Sequence, residues 1–190
     1  MSQVSHYSIS GLVEEEATIV GTAQSSYYEN SHPSSLVDGI VGTSGWTGCA
    51  HTHRYGPPWF SLELDAPRTV TKVQIARRGS YNEQAQNVLI TIGPSREYDA
   101  SETLCLPEIP ELDYGDGGLV DYPCIGGPKQ GKYVKISRRD AYYLVVCEVK
   151  VFIRAEIAGT PTSTTMASTT LPTTTPTGLR KTKTVSLFLT

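Results

Sequence analysis

The chain has 190 residues and a formal charge of −3, with no basic stripe. That length suits one ordinary domain with appendages, and the acidic balance excludes a sequence-independent nucleic-acid binder, which needs clustered cations to displace counterions from phosphates. No apolar run approaches the roughly eighteen residues of a membrane-spanning helix, and the closing VSLFLT is far too short.

Taken in chain order, residues 1 to 15 are polar and carry the start of an acidic run, Glu14 to Glu16, so a flexible lead-in is expected. No basic start precedes an apolar run, so no signal peptide is legible, and a piece of a longer precursor or a misplaced start is expected. ATIVGTAQSS reads as a short strand, and SYYENSHPSSLVDGIVGTSGWTG as a loop region broken by Gly, Ser, Asn and Pro. GCAHTHRYGPPWF then packs a cysteine, two histidines, an arginine and an aromatic pair into thirteen residues.

From Trp59 the pattern alternates. WFSLELD turns Phe60, Leu62 and Leu64 to one face, with Pro67 expected to stop the strand. VTKVQIA, NVLITIG and YVKIS read as strands with Val73, Ile75, Val88, Ile90, Ile92, Val134 and Ile136 inward. AYYLVVCEVKVFI reads as one central strand, with an apolar file at Tyr143, Val145, Cys147, Val149, Val151 and Ile153. No window has helical periodicity. Many short strands at regular turn spacing predict an all-β antiparallel jelly-roll sandwich over residues 16 to 154. Residues 155 to 190 read as a disordered mucin-like stalk, because 160 to 177 are almost wholly Thr, Ser and Pro.

Cys49, Cys105, Cys124 and Cys147 include no CxxC pair, which disfavours a cysteine-rich zinc site and favours two disulfides in an oxidising, extracellular setting. Three pairings are open. A local bridge from Cys105 to Cys124 makes physical sense, since the acidic, turn-rich segment between them has little apolar content to hold itself; such a bridge stabilises by roughly 3 kcal/mol. There is no GxSxG, HExxH or P-loop, no carboxylate pair spaced for glycoside cleavage, and no spacing that joins His51, Asp38 and a serine into a triad, so no enzyme is expected.

The succession TAQSS, VDG, CAHT followed by PPWF, VTKVQIARRG, ITIG, a Cys-bounded loop, GKYVKI and LVVCEVKVF resembles the F-type lectins (fucolectins), within the galactose-binding-like and discoidin jelly rolls. It covers roughly residues 17 to 153. The resemblance implies a disulfide from Cys49 to Cys147. It also implies a sugar site built on a His and an Arg 27 positions later, which His51 and Arg78 satisfy, with Trp46 or Tyr81 as an apolar wall. An acidic residue two beyond the Arg is replaced by Ser80, and the second basic position falls near Ala85, between Gln84 and Gln86.

The same resemblance implies a structural calcium ion on the carboxylates of Asp38 and Glu148 and on backbone carbonyls near Ser35, Ile40, Gly48 and Cys147, an oxygen-only set suited to that ion. The expectation is therefore a secreted or cell-surface, calcium-stabilised domain that recognises glycans or glycoproteins of fucose type. The alternative is an adhesion or matrix module of the same fold that has lost the sugar and binds protein. Homo-oligomerisation is left open. Membrane contact through Trp46, Tyr27 and Tyr28 is the weakest reading, and nucleic acid is not an expected partner.

Overall fold

The computed structural model describes residues 12–41, 48–96, 103–113 and 118–156. Ten strands carry the fold: β1 (Leu12–Glu16), β2 (Ile19–Gln24), β3 (Ala50–His51), β4 (Trp59–Ala76), β5 (Gln86–Gly93), β6 (Thr103–Glu111), β7 (Val120–Pro123), β8 (Lys129–Arg138), β9 (Val145–Val146) and β10 (Glu148–Glu156). Every pairing is antiparallel. Among the described residues the only helical elements are two single 3-10 turns, Pro33–Leu36 and Asn82–Ala85. The expected stalk begins too early: residues 155 and 156 belong to β10, paired with Val13 and Leu12, and the rest of that segment lies outside the described residues.

The sheet runs β1-β10-β4-β8-β5-β6, and β2 and β7 also pair with β4. β4 is thus the hub. Its first half lies between β2 and β8, and its second half between β10 and β7. The pairing with β8 shifts register between Glu63 and Arg68, and there the sheet curls so that both halves of β4 bury side chains in one core. Phe60, Leu62, Leu64, Val70, Val73, Ile75, Ile90, Ile92, Val134, Ile136 and Val151 are all fully buried in that cluster. The alternation expected in these strands is what the jelly roll requires.

Four local expectations are corrected. Pro67 does not end a strand: it falls where β4 has slipped out of register with β8, so its missing N–H costs no ladder bond. Residues 12 to 15 are not a lead-in but part of β1, pairing with β10 from Leu12↔Glu156 to Glu16↔Phe152. The acidic run meets a basic face there: Lys72 lies 3.2 Å from Glu14, and Lys150 lies 3.0 Å from Glu16. The segment after Cys105 is likewise a strand, β6, although it contains Pro107 and Pro110. Among the described residues β6 pairs in the sheet with β5 alone, and such an edge position tolerates proline. Finally, AYYLVVCEVKVFI is two strands: it breaks at Cys147, so that β9 leaves for a separate pairing with β3.

Both disulfides are formed, Cys49–Cys147 and Cys105–Cys124. β8 crosses β5 so closely that Gly131 has no alternative. A Cβ there would lie 2.7 Å from Ile92 Cγ2 and 2.8 Å from the backbone N and O of Gly93. Gly131→Ala is therefore expected to destabilise the domain by about 1–3 kcal/mol, the usual range for overpacking, seen as a lower urea midpoint with an unchanged slope.

Candidate functional site

His51 stands on β3, a strand of only two residues, and its backbone is fixed from both sides. Across β3–β9 it pairs with Val145. The Cys49–Cys147 bridge closes the pairing at one end. At the other, the Thr52 N–H donates to the Leu144 carbonyl at 3.0 Å and the Leu144 N–H donates to the Thr52 hydroxyl at 2.9 Å. On the loop side, the Ser31 hydroxyl accepts from the His51 N–H at 2.6 Å and donates to its carbonyl at 2.9 Å. The Tyr28 N–H also donates to that carbonyl, at 3.1 Å.

The imidazole is 4% exposed. Its ring centroid lies 4.4 Å from that of Tyr28 and 5.2 Å, edge-on, from that of Tyr143. Burial, then the Arg78 guanidinium, then His53 push its pKa down to about 4. At neutral pH the ring is uncharged and offers one donor and one acceptor.

Arg78 follows the end of β4 by two residues. The Cys147 N–H donates to the Ala76 carbonyl at 2.8 Å, which draws the end of β4 against the β9–β10 junction and brings Arg78 toward His51. Although they follow a strand end, Arg77 and Arg78 are only 6% and 5% exposed. Arg77 is a strut: its guanidinium donates to the Arg78 carbonyl at 3.2 Å and meets Glu111 at 3.3 Å. The Arg78 guanidinium lies 4.7 Å from the Tyr81 ring centroid, an arrangement that favours a cation over a ring face. Tyr81 takes the left-handed conformation, with φ of 63°, and leads into the 3-10 turn Asn82–Ala85. Half-buried Ser80 sits on the same bend. Gln84 and Ala85 are buried, so the expected second basic position presents no charge. Trp46 lies outside the described residues.

Arg138, Tyr28 and Tyr143 escaped the sequence reading. Arg138 is 4% exposed. It donates to both oxygens of Asp140, at 2.9 and 2.6 Å, and through Nη1 to the carbonyls of Glu83 and Tyr143, at 2.5 and 2.8 Å. It thereby ties the Tyr81–Ala85 turn to the loop carrying Tyr143, and it holds the Asp140 carboxyl below its usual range. The one sequence signal was the charge pair in SRRDAYY. Tyr143, expected on the apolar file of a strand, is half-buried and stands in the wall beside His51 because the strand begins only at Val145.

The second set of expected ligands lies along the same loop. Fully buried Leu36 anchors the 3-10 turn Pro33–Leu36. Just beyond it, Asp38 Oδ1 accepts from the Ile40 N–H at 2.9 Å, and Glu148 Oε2 accepts from the Gly39 N–H at 3.0 Å. Glu148 is only 4% exposed, so it is not the solvent-face residue its parity allowed. Burial raises its pKa, the Gly39 N–H opposes the rise, and the charge of Asp38 adds to it. Ser35 and Gly48 line a cleft of about 360 Å³ that they share with Tyr28, Ser31, Cys49 and His51.

A buried carboxylate beside a second one is the electrostatic condition that a cation relieves. Among the described residues no three His, Cys, Asp or Glu side chains converge. An all-oxygen set of two carboxylates and backbone carbonyls is the kind a hard cation takes. A larger cavity, about 740 Å³, lies over Trp59, Leu89, Leu104 and Lys135 and includes neither His51 nor Arg78.

The chain has the antiparallel jelly-roll fold that F-type lectins share, and it is similar in sequence to members of that family. It is 26% identical over 159 residues to fucolectin-6 of Anguilla japonica, covering 80% of this chain and 82% of that one. It is 28% identical over 145 residues to a pentraxin fusion protein of Xenopus laevis, covering 74% of this chain, and spans only 34% of that protein's length. The crystal structure of an F-lectin (fucolectin) from the serum of Morone saxatilis, striped bass, superposes with a TM-score of 0.62 at 25% identity, over 72% of this chain and 46% of that one. No protein-family model matches the chain.

Proposed function

We propose that the domain built from β1 to β10, residues 12 to 156, is a non-catalytic, extracellular lectin domain that binds sugars of fucose type and is stabilised by calcium. One observation carries this reading: His51 and Arg78, 27 positions apart in the chain, are buried close enough together for the guanidinium to depress the imidazole pKa. A neutral ring with one donor and one acceptor, beside a guanidinium with several donors, matches the alternating donors and acceptors of vicinal hydroxyls. Tyr81, whose ring lies against Arg78, or Trp46 would supply the apolar wall, and Ser80 lies between Arg78 and Tyr81 in the chain. Similarity to a fucolectin and an F-lectin supports the sugar class, and two disulfides support the extracellular setting.

Calcium would be held by Asp38 and Glu148 with carbonyls of Ser35, Ile40, Gly48 and Cys147. There it neutralises the buried carboxylate and stiffens the loop whose Tyr28 and Ser31 grip the His51 backbone. Isothermal titration with L-fucose is expected to give a saturable heat that weakens severalfold when EGTA is added and recovers with excess calcium. Absence of any heat from a folded domain would favour the protein-binding alternative, whose support is the uncharged stretch Gln84, Ala85 and Gln86.

Binding should also have a characteristic pH profile. Because His51 titrates near 4 instead of 6.5, fucose affinity is expected to stay flat from pH 8 to about 5 and to fall only near pH 4. Stability moves earlier. Between about pH 6.5 and 4 the unfolded chain takes up a proton that folded His51 refuses, so this group's contribution falls with pH, by roughly 3 kcal/mol across the window. Glu148 works the other way: its raised pKa means that the folded state gains stability as pH falls through that pKa. Calcium release over the same range, detected with a calcium-sensitive dye, would separate the two.

A further inference from the structure

Beside His51 the structure places more aromatic surface than a monosaccharide site needs. His51 lies 5.2 Å from Tyr143, and Tyr143 lies 6.1 Å from His53. The His53 ring is stacked on Tyr55 at 4.2 Å with an interplanar angle of 17°. The run starts at a buried ring and ends at Tyr55, which is 71% exposed and the most exposed large hydrophobic residue described. The segment that carries it is built to hold still. The His53 N–H donates to the Ser26 hydroxyl at 2.8 Å, its Nδ1 accepts from the Arg54 N–H at 3.0 Å, and the Trp59 N–H donates to the Ser25 hydroxyl at 3.1 Å. Gly56, at φ of 83°, makes the turn that follows.

A flat ring backed on one face by an imidazole and open to solvent is a stacking platform. It offers π-density to the C–H face of a pyranose at little entropic cost. The Arg54 guanidinium stands 5.6 Å from the Tyr55 centroid, on an exposed side chain, where it can donate to the hydroxyls of whatever lies on the ring.

We infer that His53, Arg54 and Tyr55 form a second subsite, so that the domain recognises an oligosaccharide, the terminal sugar at His51 and Arg78 and a following pyranose stacked on Tyr55. This rests on the sugar-binding reading above. The length of the ligand, and not only its terminal residue, then sets affinity. The test is calorimetric titration of the wild type, Tyr55→Ala and Tyr55→Phe with L-fucose and with the fucosylated oligosaccharide Lewis b. Wild type is expected to bind the oligosaccharide about fivefold or more tighter than the monosaccharide. Tyr55→Ala should remove that gain and leave the L-fucose affinity unchanged, and Tyr55→Phe should keep most of it, because the ring and not the hydroxyl does the stacking. Equal affinity of wild type for both sugars overturns the subsite, as does equal weakening of both by Tyr55→Ala. Failure of wild type to bind either sugar overturns the underlying lectin reading, and the subsite with it.

Discussion

Replacing Cys49 and Cys147 together with alanine is expected to cost the domain about 4–5 kcal/mol and to abolish sugar binding before the fold is lost. The bridge closes a loop of 98 residues, for which the chain-entropy model gives about 4.7 kcal/mol. That is a large share of the 5–15 kcal/mol that separates folded from unfolded domains. The second consequence is local. β3 and β9 are two residues long, and so short a pairing has little stability of its own. With the bridge gone, the His51 strand loses its covalent tie and depends on hydrogen bonds such as those to Ser31 and Tyr28 and between Thr52 and Leu144. Removing Cys105–Cys124 is the control, expected to cost about 3 kcal/mol for its 19-residue separation and to leave affinity intact, since that bridge joins β6 to the strand end at β7. Urea denaturation and L-fucose titration of both double variants make the comparison. Full affinity in folded Cys49→Ala/Cys147→Ala would show that the bridge does not position His51.

This division of labour explains how much the sequence could disclose. Alternation in β4, β5 and β8 was legible because Phe60, Leu62, Leu64, Val88, Ile90, Ile92, Val134 and Ile136 enter the core at every second position, and a period of two leaves its mark residue by residue. The ends of the strands were not. Pro67 and the prolines of β6 look like breakers until it is known which neighbour is out of register or absent. Glu14 to Glu16 look unstructured until the lysines opposite them are in place.

The site divides in the same way. His51 and Arg78 could be paired through the family resemblance, because their spacing follows from two strand ends that the fold brings together. The placement of the Tyr28 and Tyr143 rings beside His51 could not be read that way. Tyr28 and Tyr143 sit on loops held by individual side-chain ties, the Ser31 hydroxyl to the His51 carbonyl in one case and the Arg138 guanidinium to the Tyr143 carbonyl in the other. Such ties have no period. Glu148 shows the converse: its parity on the strand suggested solvent, and only the loop folded over it, with the Gly39 N–H on its carboxylate, makes it buried.

The remaining large effect belongs to Arg78. Arg78→Ala is expected to weaken L-fucose binding by about 2 kcal/mol, roughly thirtyfold, the typical loss when a charged donor to a hydroxyl is removed. A smaller affinity loss is expected from Arg78→Lys, which keeps the charge and gives up the planar fork and its stacking on Tyr81. Affinity alone would not distinguish a binding residue from one that merely holds the loop, since Arg78 is buried and its removal also perturbs packing. The titration of His51 does distinguish them. Burial is the largest cause of its low pKa and the Arg78 charge is the next. In Arg78→Ala the imidazole should therefore titrate higher, still short of 6.5 because the burial remains, whereas in Arg78→Lys it should stay near 4. Histidine ring resonances followed by NMR from pH 3 to 8 give that readout without any ligand. If His51 titrates at the same pH in all three proteins, Arg78 is not its electrostatic partner, and the donor pair on which sugar recognition depends does not exist.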